Sequence, residues 1–258
     1  MDLSIAGLRV LVTAGAGGIG LEIARSFLQE GARVHVCDVD RGALDAAVST
    51  DPGLTATFGD VANRADVARV FEEALGALGG LDVLVNNAGI AGPTGRVDEI
   101  NPEDWDRCLE VCITGQFNCA RLAVPHLRKS RNASIINISS AAGRFGFPLR
   151  SPYAAAKWAV IGFTKSLSRE LGEDGIRVNA ILPGIVAGDR QRRVLEAKAQ
   201  QLGVPFEEME RRVLAGASLK EYVTPQQLAD QIVFLCSPLC RTVSGQAISV
   251  DGDLQALF

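Results

Sequence analysis

Apolar residues recur along this chain in two alternating rhythms. Short apolar runs bounded by turn residues read as buried strands. They fall at Leu8–Val12, Arg33–Asp38, Leu54–Phe58, Leu81–Val85, Ser134–Ile138, Ile176–Leu182 and Gln246–Val250. Between them, apolar residues return every three or four positions, which predicts helices over 21–28, 63–78, 102–128, 152–172 and 225–236. In the second of these, Val67, Val70, Phe71, Ala74 and Leu78 form one stripe. Strands alternating with helices of this length imply right-handed crossovers and a doubly wound parallel α/β sheet. No linker, repeat or low-complexity tract interrupts the 258 residues, so one domain is expected.

The first strand runs into a glycine-rich turn, Gly15-x-Gly17-x-x-Gly20, and a helix follows at once. This arrangement presents backbone N–H groups and a helix N-terminus to a phosphate, and a Cβ would obstruct both the turn and that approach. The context marks a Rossmann-type dinucleotide site, with Gly15, Gly17, Gly18, Ile19 and Gly20 against the pyrophosphate. Asp38 ends the second strand, where a carboxylate accepts hydrogen bonds from the adenosine ribose hydroxyls and repels a 2′-phosphate. No Arg or Lys follows before Arg41, so the expected cofactor is NAD rather than NADP. A strand-end aspartate that merely caps the next turn is the plainer alternative. Ligands of such sheets bind beyond the carboxyl ends of the strands. Asp60, Asn87, Ser140 and Pro183-Gly184 fall at those ends in turn.

Charge and composition narrow the partners. A net charge of −4 and a pI near 5.3 disfavour nucleic acid and anionic membranes. No apolar run approaches the roughly 18 residues of a membrane span, and the first residues lack the features of a signal peptide. A cytoplasmic protein starting near Met1 is expected. Cys37, Cys108, Cys112, Cys119, Cys236 and Cys240 lie on apolar segments and read as reduced, small hydrophobes, with no metal site among them.

Candidate chemistry lies in Tyr153 and Lys157. A spacing of four puts both on one helix face, where an ammonium stabilises a phenolate. Ser140, at the end of the preceding strand, can hydrogen-bond a substrate oxygen. Together they suit general acid/base work beside a hydride acceptor, although a Tyr and a Lys at this spacing are often only a surface pair.

These pieces together resemble the short-chain dehydrogenase/reductase family from about Leu8 to Asp253. The resemblance rests on the Thr13–Gly20 turn, Asp60-Val61, Asn86–Gly89, Ser140, Tyr-x-x-x-Lys at 153–157 and Pro183-Gly184. It implies Tyr153 as acid/base, Lys157 as the cation that favours its ionised form and holds the nicotinamide ribose, and Ser140 as the group polarising the substrate oxygen. Asp60 and Val61 would hold adenine, Asn87 with Ala88 and Gly89 the ribose region, and Val186 the nicotinamide amide through its backbone. A homotetramer is also implied, with apolar surface on helix 152–167 and at Leu254–Phe258 to bury. Three positions depart from the family pattern: Ala14 for the first turn glycine, Gly188 for a nicotinamide-contacting threonine, and Cys112 for an asparagine that holds a relay water.

Residues 187–216 exceed what a crossover needs and read as two helices forming a substrate lid, or as a solvated pair between subunits. Arg190 and Arg193 share a helix face there and could clamp an anionic substrate, whereas Arg192 can pair with Glu196. A solvated charged face is the plainer alternative. The expected activity is NAD-linked interconversion of a secondary alcohol, or sugar-like carbinol, and its carbonyl. A 3-oxoacyl-thioester reductase would use the same motifs. A non-catalytic nucleotide-binding or scaffold protein is the reading from another class.

Overall fold

The computed structural model describes residues 2–257. Seven strands form one parallel sheet: β1 (Arg9–Thr13), β2 (Arg33–Asp38), β3 (Leu54–Phe58), β4 (Val83–Asn86), β5 (Ser134–Ile138), β6 (Arg177–Pro183) and β7 (Ala247–Val250). The order is β3-β2-β1-β4-β5-β6-β7, so the chain reverses direction across the sheet between β1 and β4. That reversal opens a crevice beyond the carboxyl ends of both strands.

Successive side chains of a strand face opposite ways, and this chain puts apolar residues on both. Val10, Val12, Val34 and Val36 face one layer with Ile23, Ala24 and Phe27 of α1 (Gly18–Gln29) and Leu228, Ile232 and Val233 of α9 (Pro225–Cys236). Leu11, Leu84, Ile135 and Val178 face the other, with the expected stripe of α3 (Arg64–Leu78) and with Ala120, Ala123 and Leu127 of α5 (Gly115–Leu127). The mostly apolar, buried central strands follow from this two-sided burial.

Helix α2 (Arg41–Thr50) does not appear in the apolar pattern, since it buries only Leu44 and Ala47. Its signal is Asp40, whose side chain accepts from the Ala43 N–H as an N-cap. The helix expected over 102–128 is broken into α4 (Pro102–Leu109), a π-helical turn at Glu110–Thr114, and α5. Helix α6 spans Ser151–Glu170. The segment after β6 forms α7 (Asp189–Leu202) and α8 (Phe206–Ala215), as the sequence predicts. They share a third apolar cluster containing Ala141, Leu195, Met209, Val213 and Leu254. Leu254 is therefore interior, 2% exposed and bridged to Ala217, rather than surface available to a second subunit; Met1 and Phe258 lie outside the described residues. Among the described residues, no helix is long and apolar enough to cross a membrane, and all six thiols are buried and free.

Candidate active site

A cleft of about 700 Å³ runs along the carboxyl ends of the strands. One end is the N-terminus of α1. Gly17 is its N-cap and no side chain caps it, so its leading N–H groups are left for a ligand. A Cβ on Gly17 or Gly18 would meet nothing within 4 Å, so the missing side chains leave an open cradle. Gly15 and Gly20 act differently. A Cβ on Gly15 would stand 2.5 Å from Val36, and one on Gly20 would collide with the Ala14 carbonyl and the Asn87 amide. Two glycines leave the cradle open, Gly15 lets the turn lie against β2, and Gly20 lets α1 close on the turn and Asn87. Ala14 takes φ 49°, so the turn holds one methyl in the left-handed region.

Asn87 ties β4 to this turn. Its Nδ2 donates to the carbonyls of Thr13 and Ala14, both at 3.0 Å, while its backbone N–H and that of Ala88 donate to Thr13 Oγ1. Asp38 also binds the turn: its carboxylate accepts from the N–H groups of Ala16, Val39 and Asp40 while lining the cleft. Asp60 and Val61 are not part of the cleft wall. The Asp60 carboxylate pairs with Arg107 at 2.6 Å and accepts from the Ala62 N–H, and the buried Val61 stands against Gly115.

Further along, Ser139 and Ser140 at the end of β5 meet α6. Tyr153 and Lys157 line the cleft with Ser140. Lys157 Nζ donates to the Ile138 carbonyl at 2.8 Å and lies 5.6 Å from the Tyr153 ring centre. Ser139 Oγ donates to the Lys157 carbonyl, and a Cβ on Gly143 would stand 2.6 Å from that same oxygen. The turn after Ser140 can approach α6 only because residue 143 is glycine. Ser140 Oγ accepts from the Ala142 N–H, which fixes it at the cleft surface.

Pro183, Gly184 and Val186 form the far wall. A Cβ on Gly184 would stand 2.6 Å from Asp251 Cα, and Val186 is set by a parallel bridge to Val223. Gly188 has φ 138° at the N-cap of α7, a conformation closed to threonine without strain. The departure from the family residue there is thus built into the backbone.

Cys112 sits in the π-helical turn, wholly buried; its Sγ lies 3.5 Å from the Ile90 carbonyl. Hydrogen bonding from Cys108, reinforced by Lys157, holds the Cys112 thiol below its ordinary range and leaves Cys108 well above. Lys157 Nζ and Cys112 Sγ flank the same backbone, 3.4 and 3.6 Å from where a Cβ on Gly89 would lie.

The sequence did not single out Arg150 and Lys198. Both line the cleft, yet they are 2% and 1% exposed. Burial, then the charge of Arg150, pushes the Lys198 amine down to about 7. Arg190 and Arg193 also line the cleft but are exposed, Arg190 donating to the Gly89 carbonyl at 3.1 Å. Arg192 pairs with Glu196 at 2.9 Å, as their spacing predicts.

A phosphate cradle at a strand-to-helix turn, leading to a Ser, Tyr and Lys group in one cleft, defines a nicotinamide-cofactor oxidoreductase. A family model described as enoyl-(acyl carrier protein) reductase matches residues 14–254, and the chain belongs to the short-chain dehydrogenase/reductase family. Its activity is oxidoreduction of alcohol and ketone substrates. It is 35% identical over 253 residues to 2-(S)-hydroxypropyl-CoM dehydrogenase 3 of Xanthobacter autotrophicus, with 96% of each chain covered. Actinorhodin polyketide ketoreductase, solved with NADPH, is similar with a TM-score of 0.89 at 32% identity, covering 94% of this chain and 95% of that one. NAD+-bound xylitol dehydrogenase gives a TM-score of 0.91 at 25% identity, covering 96% and 99%.

Proposed function

We propose that this protein is an NAD-dependent dehydrogenase interconverting a secondary alcohol, or sugar-like carbinol, and its carbonyl. The observation that carries this is the cleft itself, lined by Gly17, Gly18, Asp38, Ser140, Tyr153 and Lys157. The glycine cradle and α1 N-terminus fit a pyrophosphate, and Asp38 fits the ribose hydroxyls. Arg41, the nearest basic residue that could neutralise a 2′-phosphate, instead lies 3.8 Å from the Phe58 ring centre, outside the cleft wall. Pro183, Gly184 and the backbone of Val186 border the nicotinamide end, and Asn87 and Gly89 the ribose region, with Ala88 buried behind them on Thr13. When bound, the nicotinamide accepts or supplies the hydride.

In the oxidation direction Tyr153 takes the carbinol proton and Ser140 donates a hydrogen bond to the same oxygen. Lys157, anchored to Ile138, stabilises the tyrosinate that this transfer requires. Helices α7 and α8 act as a lid over the nicotinamide end. A 3-oxoacyl-thioester reductase is the second reading, favoured by 36% identity over 248 residues to a 3-oxoacyl-[acyl-carrier-protein] reductase of Thermotoga maritima. Comparing oxidation of small secondary alcohols with reduction of acetoacetyl thioesters separates the two.

Cofactor choice is tested by titrating both dinucleotides calorimetrically. NAD should bind at least about tenfold tighter than NADP, which is about 1.4 kcal/mol, and Asp38→Ala should narrow the gap. Equal affinities in the unaltered protein would remove Asp38 as the discriminating group.

A further inference from the structure

Two buried cations stand unpaired in the substrate end of the cleft. Arg150, the residue before α6, donates through Nη2 to the Ala91 carbonyl, but its Nε and Nη1 have no partner. Lys198, on α7, has no hydrogen-bond partner for Nζ. The two converge on one ring: Lys198 Nζ lies 3.9 Å from the Phe147 centre, and the Arg150 guanidinium carbon lies 5.4 Å from it. The same guanidinium carbon is 5.3 Å from the Tyr153 ring centre. Among the described residues neither forms an ion pair with a carboxylate.

A purely structural pair of buried charges would be neutralised, because an uncompensated ion inside a protein is costly. Contact with Phe147 offsets part of that cost but satisfies none of the orphaned N–H groups. These donors come from two elements, the loop before α6 and the lid helix α7, and they meet beside the acid/base tyrosine. An anion with several acceptor oxygens would satisfy these donors.

We propose that Arg150 and Lys198 form an oxyanion pocket that holds a carboxylate, sulfonate or phosphate group of the substrate close to its reacting carbinol. The proposal rests on the dehydrogenase reading and names its substrate class: a small hydroxy acid or hydroxyalkyl sulfonate or phosphate. A guanidinium offers a fork of parallel donors to such a group, and the lysine adds a point charge. An anion between them also offsets the burial, and then the charge of Arg150, that lower the Lys198 amine. Because Lys198 is on α7, binding the anion draws the lid toward Tyr153. The pair differs from Arg190 and Arg193, which the sequence singles out but which remain exposed at the mouth.

The test uses probes that lack a reacting carbinol, so that binding is read without turnover. Propanesulfonate, butanoate and neutral butyramide are titrated calorimetrically into the enzyme saturated with NAD. The unaltered protein should prefer the anions over butyramide, and Arg150→Gln or Lys198→Met should cut that preference at least about tenfold, the loss of a charged hydrogen bond. Lys198→Arg, which keeps the charge, should retain most of it. In turnover, the ratio of kcat/KM for 3-hydroxybutanoate over its methyl ester should fall in step. Absence of anion preference in the unaltered protein overturns the pocket, whatever the variants do. Equal loss of anionic and neutral probes assigns the pair a structural role and also overturns it. Arg150-dependent binding of propanesulfonate without oxidation of any alcohol would sustain the pocket and defeat the dehydrogenase reading instead.

Discussion

His35 shows how a single polar side chain is accommodated inside the sheet. It is 2% exposed on β2, between the hydroxyls of Thr55, 2.8 Å from Nδ1, and Thr57, 3.0 Å from Nε2. Thr57 donates to Glu73, so it accepts from Nε2–H. Burial pushes this imidazole down to about 4, with Glu73 opposing. The unfolded chain takes up a proton near the ordinary pKa of about 6.5, whereas the fold resists until about 4. Stability from neutral His35 is therefore complete above about pH 6.5 and is lost as pH falls from there toward 4. The loss is on the order of 3 kcal/mol over that window. Denaturant unfolding of wild type and His35→Val across pH 4 to 7 should show the difference between them shrinking by that amount on acidification; parallel pH profiles would mean the ring titrates freely in the fold.

At the scale of elements, the strands and the glycine turn were the most legible, because each leaves a local signature. Two-sided burial makes β1, β2, β5 and β6 short runs of buried, mostly apolar residues, and Gly15 to Gly20 falls between a strand and a helix. Helix α2 was not legible, since its fixed point is the Asp40 cap rather than an apolar stripe. The π-helical turn at Glu110–Thr114 was hidden as well: its residues keep helical spacing, and what marks it is the tertiary packing of Cys108 and Cys112 with Ala156 of α6. The site divides the same way. Ser140, Tyr153 and Lys157 announce themselves by spacing, and the structure brings them into one cleft. Arg150 and Lys198 do not, because 48 positions separate two cations that meet only when α7 folds over the loop before α6. The roles of Asn87 and Gly188 likewise required the backbone: one braces the turn and the other supplies a positive φ.

At the scale of the whole molecule, we infer assembly through α5 and α6. Trp158 is 53% exposed and Phe117 43% exposed on these helices, and Ala155, Ala159 and Gly162 lie exposed along the same face of α6 as Trp158. Small residues beside large apolar ones suit close helix packing between copies. Sedimentation at micromolar concentration should give four times the 27.3 kDa chain mass. A single-chain mass would leave that face unexplained.

The central claim is that the cradle at α1 and the Tyr153 group at α6 work as one catalytic cleft. Tyr153→Phe removes only the hydroxyl that moves the proton, leaving the ring beside Arg150 and the cradle at Gly17 and Gly18 intact. The decisive measurement is NAD affinity and alcohol oxidation on this one variant. The account predicts NAD binding within about twofold of the unaltered protein, together with loss of kcat by at least about a hundredfold, the usual contribution of a general acid/base. Retention of most of the kcat with NAD bound would contradict it, and Tyr153 would then have no part in the reaction.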